Sequence, residues 1–576
     1  KYRGEMVASR VPAESTSAAL LLAAAALAPL ARACTTVGVS AGASVDRKVI
    51  ASQSNDGGGD SDTRLFRVPA MDYPKGSRRP VYKYVGNYPR YVGPSRGADN
   101  YKPEKGQNIS KPIGYIPQAE HTYAYYDGTF GLLNEHGVGI AESTCTARTG
   151  ALARPHGAAL WYTDELSRVA MERTTSARAA VEMMGALAVE GGFYGEDNFE
   201  GTAESLIVAD AAEAWVFHVL SSDDNGTSAV WAARRVPEGH VTVVPNIFVI
   251  RELNLTDTDN YLASSNVYAI AEANGWWNKT EGPFDFTKAY SNGEYGHRYY
   301  SGRRWWGAVR LLAPSLHFPM NYTNLRDDAP YPFSVPVDAR KVCAQDVITV
   351  MRSFYEGTPV DLTRGLAAGP FANPNRYRAG AGGAGIPGAW ERSISIYRTD
   401  YSLIIEIDPD LPPAVGAVMW FGPVAAHATA FVPIFAGQDY LWQAYGRGSK
   451  GGGVDRASAM WAFRYLQQVV NLNFARMMGD VRALQAGVEA RGRALVKEMA
   501  DTWKGNATLL ATAANAHAEK TVEVWWKMAD HLIFRYADGN IYSDDGKVAT
   551  AGYPEWWLKA VGYENGPPPP PLADEL

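Results

Sequence analysis

The stretch Ala31-Arg32-Ala33-Cys34-Thr35-Thr36 sets a thiol directly behind an Ala-x-Ala triplet. An apolar run from Ala18 to Ala31 precedes it, with Lys1, Arg3 and Arg10 upstream. That is the pattern of a secretory signal peptide over residues 1–33. Cleavage after Ala33 makes Cys34 a first residue, and a first residue carries a base of its own. An α-amine titrates at roughly 7.7–8.0 and a thiol near 8.5, so the amine can take the thiol proton directly or through a water. The chemistry on offer is nucleophilic attack on a carbonyl carbon. Two other readings stand beside it: a signal peptide that merely ends before a cysteine, and a lipidated terminus, for which Ala-Arg-Ala lacks the usual Leu-x-Gly/Ala pattern.

A second chemical stretch is Ser54-Asn55-Asp56-Gly57-Gly58-Gly59-Asp60, an acidic and glycine-rich loop. Asp56, Asp60 and Asp62 are cation-ligand types, but no EF-hand spacing or histidine cluster accompanies them. No metal and no cofactor is expected. The nearer role for Asp56 is to hold the amine of Cys34 from across a hairpin. His121, His136, His218 and His297 lack metal-ligand spacing, and no catalytic histidine is needed where the amine is the base.

The elements that must position these groups read as hairpins. Cys34 to Val39 and Lys48 to Ser54 alternate as strands around turn residues at Ala41 to Arg47. Thr129 to Leu133 and Val138 to Glu142 flank a turn at Asn134-Glu135-His136-Gly137. Ser205 to Ala209 and Ala214 to Leu220 make a third pair, followed by strands at Val230 to Val236 and His240 to Val244. Helical sequence covers Ala158 to Met184, and Ser393 to Glu406 reads as strand. Arg456 to Asp501 is helical, with Trp461, Tyr465, Val469, Leu472 and Met477 near one face. Antiparallel strands followed by helices predict stacked sheets with helical cover, an α+β class.

The whole chain has 576 residues, with 55 basic and 61 acidic side chains, so nothing directs it to nucleic acid. Aromatic residues make up 11%, which suits a large packed globule. No apolar run after Cys34 approaches the roughly 20 residues that span a bilayer, so no membrane partner is expected after processing. Cys145 and Cys343 either pair as a disulfide or stay reduced. Sequons at Asn108, Asn225, Asn254, Asn278, Asn321 and Asn506 agree with a secreted glycoprotein. The end, Ala573-Asp574-Glu575-Leu576, resembles an endoplasmic-reticulum retrieval signal with its first position changed, behind a proline run at Pro567 to Pro571. Residence in the endoplasmic reticulum is expected, with secretion or a lysosomal location as alternatives. A retrieval receptor and a second copy of the chain are open as partners. The expected organisation is a signal peptide (1–33), a catalytic domain (34–455), a helical cover on the same domain (456–560) and a proline-rich tail (561–576). The glycine-rich 378–388 reads as a surface loop.

Ordered segments then carry a resemblance. Cys34-Thr35-Thr36-Val37, Asn55-Asp56-Gly57-Gly58, Arg64-Leu65-Phe66 and Val68-Pro69-Ala70 open the series. Asn134-Glu135-x-Gly137-Val138, Ala214-Trp215-Val216-Phe217 and Trp231-Ala232-Ala233-Arg234-Arg235-Val236-Pro237 follow. Glu356-Gly357-Thr358-Pro359-Val360-Asp361-Leu362-Thr363, Gly369-Pro370-Phe371 and Trp420-Phe421-Gly422 come last. The series resembles the cysteine dipeptidase family that includes dipeptidase A and the secernins, among the N-terminal nucleophile hydrolases. The resemblance implies a four-layer αββα sandwich of two antiparallel sheets with a C-terminal helical extension. It implies cleavage of small peptide substrates, dipeptides first, through Cys34. Asn134 and Asn246 match asparagines of the oxyanion hole and the thiol's surroundings, Arg304 (or its neighbour Arg303) matches a downstream arginine, and Asp56 matches the acid on the nucleophile's amine. Gln53 stands where bile salt hydrolases carry an arginine. The alternatives are an amidase of N-acyl amino acids or other non-peptide amides, and a catalytically silent binding protein of the same fold.

Overall fold

Strand β1 (Thr35–Val39) and strand β2 (Val49–Asn55) pair antiparallel in a computed structural model, with Thr35 opposite Ser54 and Val39 opposite Ile50. The structure describes residues 34–196, 201–293, 298–320, 331–377 and 389–567. The signal segment, His297, Asn321, the loop 378–388 and the last residues of the tail lie outside the described residues. Every residue of β1 and β2 is buried, because the hairpin is covered on both faces.

After β2 come β3 (Phe66–Val68), β4 (Tyr125–Asp127), β5 (Gly131–Asn134), β6 (Gly139–Cys145), β7 (Ala203–Ala209), β8 (Ala214–Ser221) and β9 (Ala229–Arg235). With β10 (His240–Val244) the chain changes sheet, and β11 (Tyr261–Ala263) returns. The last strands of the two large sheets are β12 (Val335–Pro336), β13 (Tyr401–Ile407), β14 (Ala417–Pro423) and β15 (Val432–Phe435). They form a seven-stranded sheet in the order β12-β10-β1-β2-β13-β14-β15 and an eight-stranded sheet in the order β11-β9-β8-β7-β6-β5-β4-β3. All the pairings in both are antiparallel.

The two sheets lie face to face, β2 and β1 against β6 and β7. Glycine permits a close approach: a Cβ on Gly139 of β6 would meet Ile405 of β13 at 2.8 Å. On the outer face of the eight-stranded sheet sit α1 (Thr163–Arg173) and α2 (Ala177–Gly191). The outer face of the other sheet carries α3 (Arg303–Leu312) on β10, α4 (Ala344–Met351) on β13, α5 (Ala459–Val470) on β14, and α6 (Phe474–Thr502) and α7 (Ala507–Arg535) on β15. The α+β sandwich and its C-terminal helices are therefore present as expected.

Three local expectations change. Ala158 to Met184 is not one helix: Ser176 caps a second, its side chain accepting from the Ala179 N–H at 3.3 Å. The C-terminal helix breaks at Asn471, which leaves Leu472 exposed instead of on the buried face. The strand expected from Ser393 begins only at Tyr401, because residues 392–399 turn aside to grip Asp56. Cys145 lies in β6 and Cys343 caps α4, and no disulfide joins them, so the disulfide alternative is set aside.

Candidate active site

Cys34 immediately precedes β1 and is 2% exposed. Its thiol faces Asn55 Oδ1 at 4.0 Å, and Gln53 Nε2 donates toward Sγ from 3.9 Å. Burial, first, and the carboxylates of Glu142 and Asp56, next, push the thiol pKa well above its usual value; the Asp56 backbone N–H opposes them. At neutral pH the sulfur therefore keeps its proton until a base removes it.

The carbonyl of Cys34 is the point where distant chain segments meet. It accepts from Arg304 Nη1 at 2.7 Å and from the Ser143 hydroxyl at 3.4 Å. Arg304, in the first turn of α3, is fully buried and also donates to Thr35 Oγ1 (2.9 Å), Pro245 O (3.0 Å) and Asn246 Oδ1 (2.8 Å). Burial and then Arg392 pull its pKa down to about 10, which still leaves it charged at neutral pH. Its neighbour Arg303 points elsewhere, to Glu391 at 3.4 Å and over the Trp306 ring. Of the two candidates, the structure brings Arg304 to Cys34.

Asn246, two residues past the end of β10, is left-handed (φ 60°), and its side chain lies beside β6. Its backbone N–H donates to Ser143 Oγ at 3.0 Å and its Nδ2 to Thr144 O at 2.7 Å. An amide nitrogen carries two hydrogens, so one further donor is available there. Behind this loop, His218 Nε2 accepts from the Val249 and Ile250 N–H groups at 3.0 and 3.3 Å. Its Nδ1–H then goes to Ser205 Oγ at 2.6 Å.

Asp56 is fully buried beyond the end of β2, on the same face as Thr35 and Ser54. Its carboxylate is held by Arg392 Nη2, by the Thr399 hydroxyl at 2.5 Å and by Ser54 Oγ at 3.3 Å. Asp62, a neighbour in the cation-ligand pattern, is paired to Arg64 (2.6 Å) and Arg90 (2.8 Å), which hold its pKa down at about 2.

Asn134 does not join this group. Its Nδ2 donates to Met171 O and Thr174 O (3.1 and 2.9 Å), and its Oδ1 accepts from the His136 and Val138 N–H groups (3.1 and 2.9 Å). It closes the β5–β6 turn onto α1, about 13 Å along β6 from Ser143 at the usual strand rise. The Asn-Glu-x-Gly turn is thus a structural motif here. Sequence reasoning also passed over Glu142, Ser143, Thr144, Arg392 and Thr399. Glu142 carried a signal, as the one charged residue in the strand GIAESTC. Arg392 carried none, since the loop that delivers it has no periodicity.

Residues 33–487 match the model of peptidase family C69. A probable dipeptidase of Salmonella dublin is 24% identical over 439 residues, 74% of this chain and 86% of that protein. A probable dipeptidase of Latilactobacillus sakei is 26% identical over 412 residues, 70% of this chain and 74% of its own length. A dipeptidase of Bifidobacterium longum is 25% identical over 408 residues, 68% of each. With a family match that starts one residue before the buried thiol and runs through both sheets, the chain belongs to peptidase family C69, cysteine dipeptidases of the N-terminal nucleophile type.

Proposed function

We propose that this protein hydrolyses dipeptides with Cys34 as nucleophile, after cleavage behind Ala33 frees the amine of that residue. The observation that carries the reading is the convergence of Arg304 and Ser143 on Cys34 from separate elements, with Asn246 bonded to both of them. Sγ attacks the scissile carbonyl carbon while its proton passes to the α-amine of the same residue. The free Nδ2–H of Asn246, with backbone amides, faces the developing oxyanion, and a well-placed donor of that kind lowers the barrier by roughly 3–4 kcal/mol. The protonated amine then delivers its proton to the leaving amino group, and water cleaves the thioester. Arg304 fixes the carbonyl side of Cys34, and Asp56, clamped by Arg392, fixes the end of β2 against which the thiol rests.

The test is the mature chain against Cys34→Ala, and against a chain with one residue left ahead of Cys34. The variant should fold and lose turnover with an alanyl dipeptide, and the extended chain should be inactive. Full turnover by the extended chain would remove the amine from the mechanism.

We further infer passage through the secretory route. Asn108, Asn225, Asn254, Asn278 and Asn506 are all exposed, as glycan acceptors must be. Protein from a eukaryotic secretory host should lose mass on endoglycosidase treatment; an unchanged mass overturns this reading.

A further inference from the structure

Next to the thiol lies a buried acidic group that the steps above do not use. Glu142 Oε2 accepts from Gln53 Nε2 at 2.9 Å, and its Oε1 accepts from the Thr144 hydroxyl at 2.7 Å. Glu204 stands opposite Thr144 in the β6–β7 register, which sets it on the same face as Glu142. Its Oε1 accepts from Tyr162 OH at 2.7 Å. Glu142, Glu204 and Gln53 are all fully buried. Burial, then Glu142, pushes the Glu204 pKa well above the carboxylate range, which favours the protonated form of Glu204.

Donors run short here. The Thr144 and Tyr162 hydroxyls and the Gln53 amide nitrogen already donate, yet Gln53 Oε1 and Glu204 Oε2 receive no hydrogen bond from the described residues. A buried acceptor left without a donor is costly. A primary ammonium offers three N–H groups, enough to reach both of these open acceptors.

Position agrees with chemistry. In a dipeptide the ammonium nitrogen is two bonds from the attacked carbon, about 2.5 Å away by standard bond lengths. Sulfur approaches that carbon to roughly 3–3.5 Å before attack. The ammonium must therefore lie close to Sγ, where Gln53 already is at 3.9 Å. Asp56 is a poorer counter-ion, since Arg392 and Thr399 occupy its carboxylate.

We propose that Glu142, Glu204 and Gln53 form the subsite for the α-ammonium group of the substrate, and so impose a free amino terminus on the residue whose carbonyl is attacked. This rests on the dipeptidase reading above. On binding, the proton held by the carboxyl pair leaves to solvent and the ammonium takes its place.

The experiment compares alanylalanine with propionylalanine, in which hydrogen replaces the ammonium, and with N-acetylalanylalanine. Wild type should favour the free dipeptide over propionylalanine by more than about 100-fold in kcat/KM, as sites built around a substrate N–H do. Glu142→Gln and Glu204→Gln should each shrink that ratio at least about tenfold. Equal turnover of all three by wild type overturns the subsite and leaves the thiol hydrolase standing; turnover of none overturns both. An unchanged ratio in either folded variant overturns the subsite alone. A second readout needs neither variants nor turnover: alaninamide should slow alkylation of wild-type Cys34 by iodoacetamide, and N-acetylalaninamide should not. Equal effects of the two overturn the proposal.

Discussion

Arg303 and Arg304 are adjacent and both buried, yet only one reaches Cys34, because successive helical positions point about 100° apart. Arg304→Lys keeps the charge but loses the fork that spans Cys34, Thr35, Pro245 and Asn246. Its kcat should fall at least about tenfold, while Arg303→Lys changes kcat by less than about threefold; steady-state kinetics on both decides it. Asn134→Ala should behave in the opposite manner. It strands the backbone groups of a buried turn and should cost about 1–3 kcal/mol in denaturant unfolding, with kcat per folded molecule unchanged. Cys34 and Asp56 were legible in the sequence, because a cleavage signal and a strand end are local features. Asn246 and Arg304 came through resemblance, and in the structure Arg304 bonds to both Cys34 and Asn246. Asn134 shows the limit of that route: a motif marks a recurrent shape without saying whether the shape faces the thiol.

At the scale of elements, the loop 246–250 is held from behind by His218, buried in β8 and neutral. Burial lowers the His218 pKa from 6.5 to about 3. The unfolded chain takes up that proton near 6.5 and the folded one only near 3. The stabilisation is therefore whole above pH 6.5 and is lost as pH falls from there towards 3. His427, buried against Ser395, follows the same window. Thermal melts should show the unfolding midpoint dropping across this range, and His218→Gln should flatten the drop while lowering the midpoint at pH 7. The same variant should reduce kcat more than it raises KM, since it loosens Asn246 without touching substrate. The hairpins were readable from alternation and turn residues. The switch of β10 into the other sheet was not, because β9 and β10 follow each other with the spacing of an ordinary pair.

Across the whole molecule, the long connection between β2 and β4 is tied down by buried ions. Asp127 on β4 meets Arg168 at 2.8 Å and accepts from Tyr101 OH at 2.8 Å, while Arg79 bridges Glu165 and Glu172 at 2.7 Å each. Arg168 also donates to Thr129 O at 2.8 Å, and the Thr129 hydroxyl accepts from Asn55, the residue facing the thiol. Asp127→Asn leaves buried guanidinium groups short of a partner and should cost about 3–5 kcal/mol, with little dependence on salt. Calorimetry at low and high ionic strength checks both parts. None of this network was legible in the sequence, since its charges are scattered over a hundred positions and look like ordinary surface residues. The strand order has a further consequence, in time. β1 needs β10, about two hundred positions later, and β2 needs β13, which begins at Tyr401. Loop closures of that length come late in folding, and a chain emerging from the ribosome cannot make them early. Hydrolytic capacity therefore cannot arise before the strand at Tyr401 has been made, and a nascent fragment ending before Tyr401 exposes the bare edge of β2 in place of a working thiol.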